Sequence, residues 1–139
     1  STRQQRYLIS HMHGLWDPRG KIDLPERFLQ SNRANAHLQH HQLTERWGGE
    51  LPIIFGGDFN LTSQLQAFKK LAKARFYGSY GAVVLNQKFG VTDTRTQLYR
   101  KPEREADFVL TSDSITAELK VDYNVPSDHA ALVVVVDEG

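Results

Sequence analysis

Apolar positions along the chain switch between a period near two and a period near 3.6, and the elements they predict run strand, helix, strand, helix, then strands. Tyr7, Ile9, His11 and His13 fall on one side of a period-two pattern and Leu8, Ser10 and Met12 on the other, which predicts a strand ending at Gly14. Pro25-Glu26 opens a long stretch in which Phe28, Leu29, Ala36, Leu38, Leu43 and Trp47 recur at helical spacing, and Gly48-Gly49 closes it. Leu51 to Phe55 is a short apolar run bounded by glycines, as a buried strand would be, and Leu65 to Phe76 reads as a second amphipathic helix. Beyond it, Ala106 to Leu110, Ile115 to Tyr123 and Ala131 to Val136 are strand-like runs rich in Val, Ile, Leu and Phe, separated by Ser/Asp-rich turns. No repeat, linker or low-complexity tract divides residues 1–139, so one domain is expected. The expected fold class is α/β, a mixed sheet with helices on one face.

Composition narrows the chemistry. A chain of 139 residues with 40% hydrophobic content can bury a core and has no reason to be disordered. With 17 basic residues against 16 acidic ones the formal charge is +1, so any footprint for a polyanion must be local. No cysteine is present, which excludes a disulfide framework, a thiolate zinc site and a cysteine nucleophile. The longest apolar run, Ala130 to Val136, is too short to span a bilayer, and the polar start Ser1 to Arg6 is no secretory signal; a soluble chain of unspecified compartment is expected.

Four clusters of chemically capable residues sit where the pattern places strand ends. Gly56-Gly57-Asp58-Phe59-Asn60 follows a strand, and extended geometry through it would put Asp58 and Asn60 on one side and Phe59 on the other. An acid and an amide then share a cleft, the first able to hold a water or a metal and the second to donate to a phosphate oxygen. The competing reading is an ordinary strand-to-helix turn with cap residues. Ser127-Asp128-His129 precedes a buried strand and sets a hard oxygen ligand beside an imidazole. Its bland reading is a turn with a surface histidine. Asp107 is the one charge entering an apolar strand, and a buried carboxylate needs a partner. His129 is a natural one, since a carboxylate that accepts from one ring nitrogen fixes the tautomer of the other. His11-Met12-His13 offers two imidazoles at i and i+2, of which His13 is expected to point at substrate. His37 and His41 have the i, i+4 spacing of a metal pair but lack a third ligand, so a solvated helix face is the better reading. The glycosylation-like tripeptide Asn60-Leu61-Thr62 is common and is discounted.

In chain order, His13-Gly14-Leu15, Gly57-Asp58-Phe59-Asn60, Ala106-Asp107-Phe108-Val109-Leu110 and Ser127-Asp128-His129 resemble the later motifs of the endonuclease/exonuclease/phosphatase superfamily. The resemblance covers nearly the whole chain and implies the C-terminal half of a two-sheet, deoxyribonuclease-like α/β sandwich that hydrolyses phosphoesters with Mg²⁺ or Mn²⁺. By position, Asp58 would orient or activate the attacking water and Asn60 would bind the phosphate. Asp128 would serve the metal, His129 would contact the phosphoryl group while oriented by Asp107, and His13 would stabilise developing charge. Arg95, in Thr94-Arg95-Thr96, is a further candidate for substrate contact.

The superfamily also needs an N-terminal half with an Asn and a metal-binding Glu, which nothing before Tyr7 supplies. The chain is therefore expected to be a piece of a longer parent, with the sandwich completed by that missing half or by a self-association partner. The substrate is expected to be a phosphoester, with nucleic acid slightly favoured because Lys69, Lys70, Lys73, Arg75, Arg100, Lys101 and Arg104 could follow a phosphate backbone. The alternative is a non-catalytic binding module that kept the fold without a complete metal site.

Overall fold

The computed structural model describes residues 6–14, 41–60, 63 and 66–137. Leu15, Trp16, the opening of the long predicted helix, His37, His40, Leu61, Thr62 and Leu65 lie outside these. In chain order the elements are β1 (Leu8–His11), α1 (helical over residues 41–48), β2 (Ile53–Asp58), α2 (Gln66–Ala72), β3 (Arg75–Phe76) and β4 (Ser79–Tyr80). They continue with β5 (Val83–Val84), α3 (Leu85–Lys88), β6 (Asp107–Thr111), β7 (Thr116–Asp122) and β8 (Ala131–Asp137).

The central sheet has the order β1-β2-β6-β5 and is mixed: β1 runs parallel to β2, while β6 is antiparallel to both β2 and β5. β2 starts two residues later than the pattern predicts and runs on through Gly56-Gly57-Asp58, because β1 and β6 pair with it along that length. Alternation along β2 and β6 then sorts side chains to two faces. Ile53, Phe55, Phe108 and Leu110 turn to one face, where they form a core with Met12, Phe59, Phe68, Leu71, Ala74 and Phe76. Phe68 and Phe108 lie 4.4 Å apart between ring centroids, and Phe55, Phe59 and Phe108 are 5.2–5.8 Å from one another in sequence of contact. Burying each such ring is worth about 1.5–3 kcal/mol, so this face carries most of what holds β2 and β6 in place. Val109 turns to the other face and packs with Leu85, Ile115, Ala117 and Leu119, so the β7–β8 hairpin covers that side.

Several expectations change in detail. The helix predicted over Leu65 to Phe76 ends at Ala72, and Arg75-Phe76 instead pairs with Ser79-Tyr80 around Gly78, whose φ of 84° suits a tight turn. Helices are not confined to one face: α2 contributes Phe68 and Leu71 to the first core, while Leu85 of α3 belongs to the second. In α1, Leu43 and Trp47 are half exposed, and Thr44 and Gly48 turn inward.

Gly57 shows why the strand end has the residues it has. Its φ is 139°, and a Cβ built there would overlap the Met12 carbonyl oxygen, because residues 12–14 run close alongside β2 through bonds from Met12 N to Gly56 O (3.0 Å) and Gly14 N to Asp58 O (2.7 Å). Gly57→Ala should therefore lower stability by at least roughly 1–3 kcal/mol from backbone strain, with the clash added. Gly90→Ala is the control, since its φ of 66° imposes strain but nothing stands within 4 Å. Thermal melts should place Gly57→Ala well below Gly90→Ala; equal melting temperatures would refute the close approach.

β8 pairs only with β7 among the described residues, so its outer edge is left open. No charge interrupts Ala131 to Val136, and Val133 and Val135 are 44% and 46% exposed. Strand edges are normally guarded by charge or proline. The isolated chain should self-associate, and Val133→Lys should shift it toward monomer; light scattering that finds a monomer at all concentrations would overturn this.

Candidate active site

The site is assembled by register. β2 ends on Asp58 and β6 begins on Asp107, and the antiparallel ladder sets these two directly opposite each other, so both carboxylates leave the sheet at the same end. His129 arrives from the turn ahead of β8, held beside residues 94–96 by bonds from Ala130 N to Thr94 O (2.9 Å) and Thr96 N to Asp128 O (3.0 Å). That bridge puts Arg95 directly across from His129. Thr94 is fully buried, and its hydroxyl accepts from both Ala106 N (3.0 Å) and Asp107 N (3.1 Å), fixing the start of β6. Asn86, also buried, accepts from Val109 N (3.0 Å) and donates to Asp107 O (2.9 Å), taking the place of a neighbouring strand.

At the centre, His129 Nδ1 lies 2.8 Å from Asp107 Oδ2, and Nε2 lies 2.9 Å from Arg95 Nη1. A guanidinium only donates, so Nε2 accepts and the proton resides on Nδ1, which donates to Asp107; the tautomer follows from the partners. Asp58 Oδ2 stands 3.6 Å from His129 Nε2 and 3.9 Å from His13 Nε2, while Asp58 Oδ1 accepts from Asn60 N at 2.9 Å. Asp128, half exposed, lies 4.0 Å from both His129 Nε2 and Arg95 Nη1. Burial pushes the Asp107 carboxyl above its ordinary value; the hydrogen bond and charge of His129 act against this, the Asp58 charge adds to it, and the Arg95 charge opposes it.

All seven residues singled out from the sequence lie at this end of the sheet, in two roles. Asp58, Asp107, His129, Arg95, His13 and Asp128 form a connected set of charged and imidazole groups. Asn60 differs from expectation: the backbone leaves extended geometry there, with φ at 50°, and its Nδ2 donates to Gly14 O at 2.6 Å. The amide thus ties the two strand-end loops together, and Asn60 reaches the cluster through its backbone bond to Asp58. His11 lines a cavity of about 320 Å³ between β1–β2 and β8, shared with Ile9, Asp107, Val109, Leu132 and Val134.

Asp58, Asp107 and His129 also form a candidate metal group, with one ligand atom from each lying within 4.8 Å of the others. The donor set suits a hard divalent cation only in part: Asp58 and Asp128 bring carboxylate oxygens to 3.6 Å and 4.0 Å from His129 Nε2, whereas Asp107 Oδ2 is engaged by His129. Sequence reasoning missed Asn86 and Tyr99 and the supporting roles of Thr94 and Arg104, the latter having been expected to follow a phosphate backbone. Each acts through backbone hydrogen bonds or ring contact from a loop or a short helix, and leaves no spacing signal.

No protein-family model matches the sequence, and no curated protein matches it. Among solved structures, the chain is similar to a mannosyl-6-phosphatase from Bacteroides thetaiotaomicron, with a TM-score of 0.53 and 16% identity over 94% of this chain and 50% of that one. It is also similar to an endonuclease/exonuclease/phosphatase family protein from the same organism, with a TM-score of 0.51 and 18% identity over 92% of this chain and 48% of that one. The chain has the fold of endonuclease/exonuclease/phosphatase proteins, as its four motifs led one to expect, and spans about half the length of the structures it matches. Among the described residues, no helix is long and apolar enough to cross a membrane.

The raised Asp107 value has a consequence for stability. The folded chain holds that proton more tightly than the unfolded chain, so the contribution is full below the ordinary aspartate value of 3.8 and is lost as pH rises through the higher folded value. Asp107→Asn should flatten the pH dependence of the melting temperature in the window just above 3.8, and leave it unchanged or higher at neutral pH. A variant that melts far below the parent sequence at neutral pH would show that the bond to His129 outweighs the burial of the charge.

Proposed function

We propose that this chain carries the later half of a metal-dependent phosphoester hydrolase site, on the C-terminal half of a two-sheet α/β sandwich. In the parent protein the N-terminal half, or a self-association partner, completes it. The observation that carries this reading is the meeting of Asp58, Asp107, His129 and Arg95 at one end of the β2–β6 ladder, which sets carboxylates and a guanidinium around one imidazole.

Asp58 orients a water and accepts its proton, its carboxylate being braced by Asn60 N and flanked by two imidazoles. Asp107 fixes the His129 ring, and Nε2, which accepts from Arg95 in this arrangement, would contact a phosphoryl oxygen beside Arg95 once it takes up a proton. His13 approaches from the other side of Asp58, where it can stabilise charge as it develops. Asp128 would offer oxygen ligands to Mg²⁺ or Mn²⁺. When bound, that cation would neutralise charge on the phosphoryl oxygens.

A nucleic-acid substrate draws support from Arg100 and Lys101, exposed on the loop that follows Arg95. Arg104 is engaged with Asp93, and Arg75 lies over Gly49, ahead of β2 and so at the far end of that strand from Asp58, which removes both from the expected phosphate track.

The test is Mg²⁺-dependent hydrolysis of phosphodiesters and phosphomonoesters by the complete parent. The isolated chain should be nearly inert. Asp58→Asn in the parent should abolish turnover, and Asp107→Asn should lower kcat by about 10²–10⁴-fold with little change in KM. Intact turnover in Asp58→Asn would sink the assignment, and a parent that binds phosphoesters without any Mg²⁺-dependent turnover would point to a binding module.

A further inference from the structure

Arg95 is the cation of the site, and nothing in its own segment explains why it stays there. An arginine side chain has much rotamer freedom to lose, and a carboxylate fork usually holds it. Here the nearest acid, Asp128, reaches Nη1 only at 4.0 Å, yet the Arg95 side chain is 11% exposed and its Nη1 meets His129 Nε2 at 2.9 Å. Its Nε is buried with no hydrogen-bond partner among the described residues. The guanidinium is held by an aromatic ring: its central carbon sits 3.9 Å from the centroid of Tyr99.

Tyr99 lies in a loop with no strand or helix of its own, so its ring must be fixed from elsewhere. Arg104 does this. It donates from Nη1 to Tyr99 O (2.6 Å) and from Nη2 to Thr96 O (3.1 Å), and its Nε is paired with Asp93 Oδ1 at 3.1 Å. Asp93 Oδ1 in turn accepts from Arg95 N at 2.9 Å, so one acid ties the two arginine segments together. The guanidinium of Arg104 also stands 5.8 Å from the Tyr99 ring.

We infer that Tyr99 and Arg104 are positioning residues that hold the Arg95 guanidinium against His129 Nε2. Loop 93–104 thereby becomes the support for the phosphate-facing side of the site. This rests on the proposed hydrolase for its purpose, since an incompletely satisfied cation beside an oriented imidazole is suited to a phosphoryl oxygen. The contact itself is independent of that purpose and can be read without catalysis.

The experiment is nitrogen NMR of the His129 ring in the histidine-labelled chain, where the Nε2 signal reports the donor it accepts from. Arg95→Ala should shift that signal. Tyr99→Ala and Arg104→Lys should shift it in the same direction, and Tyr99→Phe, which keeps the ring, should leave it in place. If Tyr99→Ala fails to fold, Arg104→Lys carries the test alone, because it retains the charge but cannot span both carbonyls. A second readout is kcat in the complete parent: Tyr99→Ala should cost on the order of 10²-fold, as misplacement of a charged group does. That loss should vanish in the Arg95→Ala background.

An unmoved Nε2 signal in Tyr99→Ala or Arg104→Lys, or losses in kcat that add to that of Arg95→Ala, would overturn the inference. If the signal moves as stated while the parent shows no turnover, the positioning role stands and the hydrolase reading falls. If turnover is present and the signal is unmoved, the positioning role alone falls.

Discussion

Two carboxylates, Asp58 and Asp107, face each other across the β2–β6 ladder, and the rest of the site is arranged around their mutual repulsion and partial burial. Like charges opposite one another on a ladder are unfavourable, and taking them out of water adds to the penalty. His129 answers Asp107 with a 2.8 Å hydrogen bond, and Arg95 supplies positive charge from the other side of the ring. Burial nevertheless raises the Asp107 carboxyl from its ordinary value, so the compensation is incomplete. A fold tolerates such a strained pair only if other contacts over-determine the geometry.

Those contacts come from the apolar faces behind the site. The phenylalanine cluster on one side of β2 and β6, and the β7–β8 hairpin on the other, fix the ladder well before its polar end is reached. Hydrophobic packing thus sets the register, and the register sets the spacing of the acids. Gly57 and Asn60 do the same for the neighbouring loop, the first by letting residues 12–14 approach β2 and the second by bonding Gly14. His13 owes its place near Asp58 to that approach.

Much of this was legible in the sequence, and what was not has a common cause. Asp58, Asp107 and His129 stood out because each is a polar residue at the edge of an apolar run, and strand ends from different parts of a sheet tend to converge. Their meeting at one end of the sheet could be expected without knowing the pairing. Asn86, Thr94 and Arg104 could not, because they serve the site by bonding backbone groups far along the chain, and such roles leave no periodicity. The helix over Leu65 to Phe76 was overestimated for a related reason: Ala74 and Phe76 fit a helical stripe, yet their burial is achieved by a small hairpin in which Gly78 makes the turn. Asn60 was placed on the right loop but in the wrong conformation, since a positive φ is a property that the amide permits and does not announce.

Charge balance leads to the last step. Among the described residues, three carboxylates, Asp58, Asp107 and Asp128, stand around His129 with the guanidinium of Arg95. An anionic phosphoryl group entering that opening would meet net negative charge, which raises its energy unless a further cation is present. A divalent ion ligated by Asp58 or Asp128 would reverse the sign of the local field, and an ion that demands six oxygens would draw the remaining ligands from solvent, substrate or another segment of protein. On the proposed reading, a bound cation would make the approach of a phosphoryl group to His129 and Arg95 favourable. In that proposal loop 93–104 and the acids at the strand ends would be complementary, the first holding the fixed positive charge of Arg95 and the second offering oxygen ligands to a mobile one.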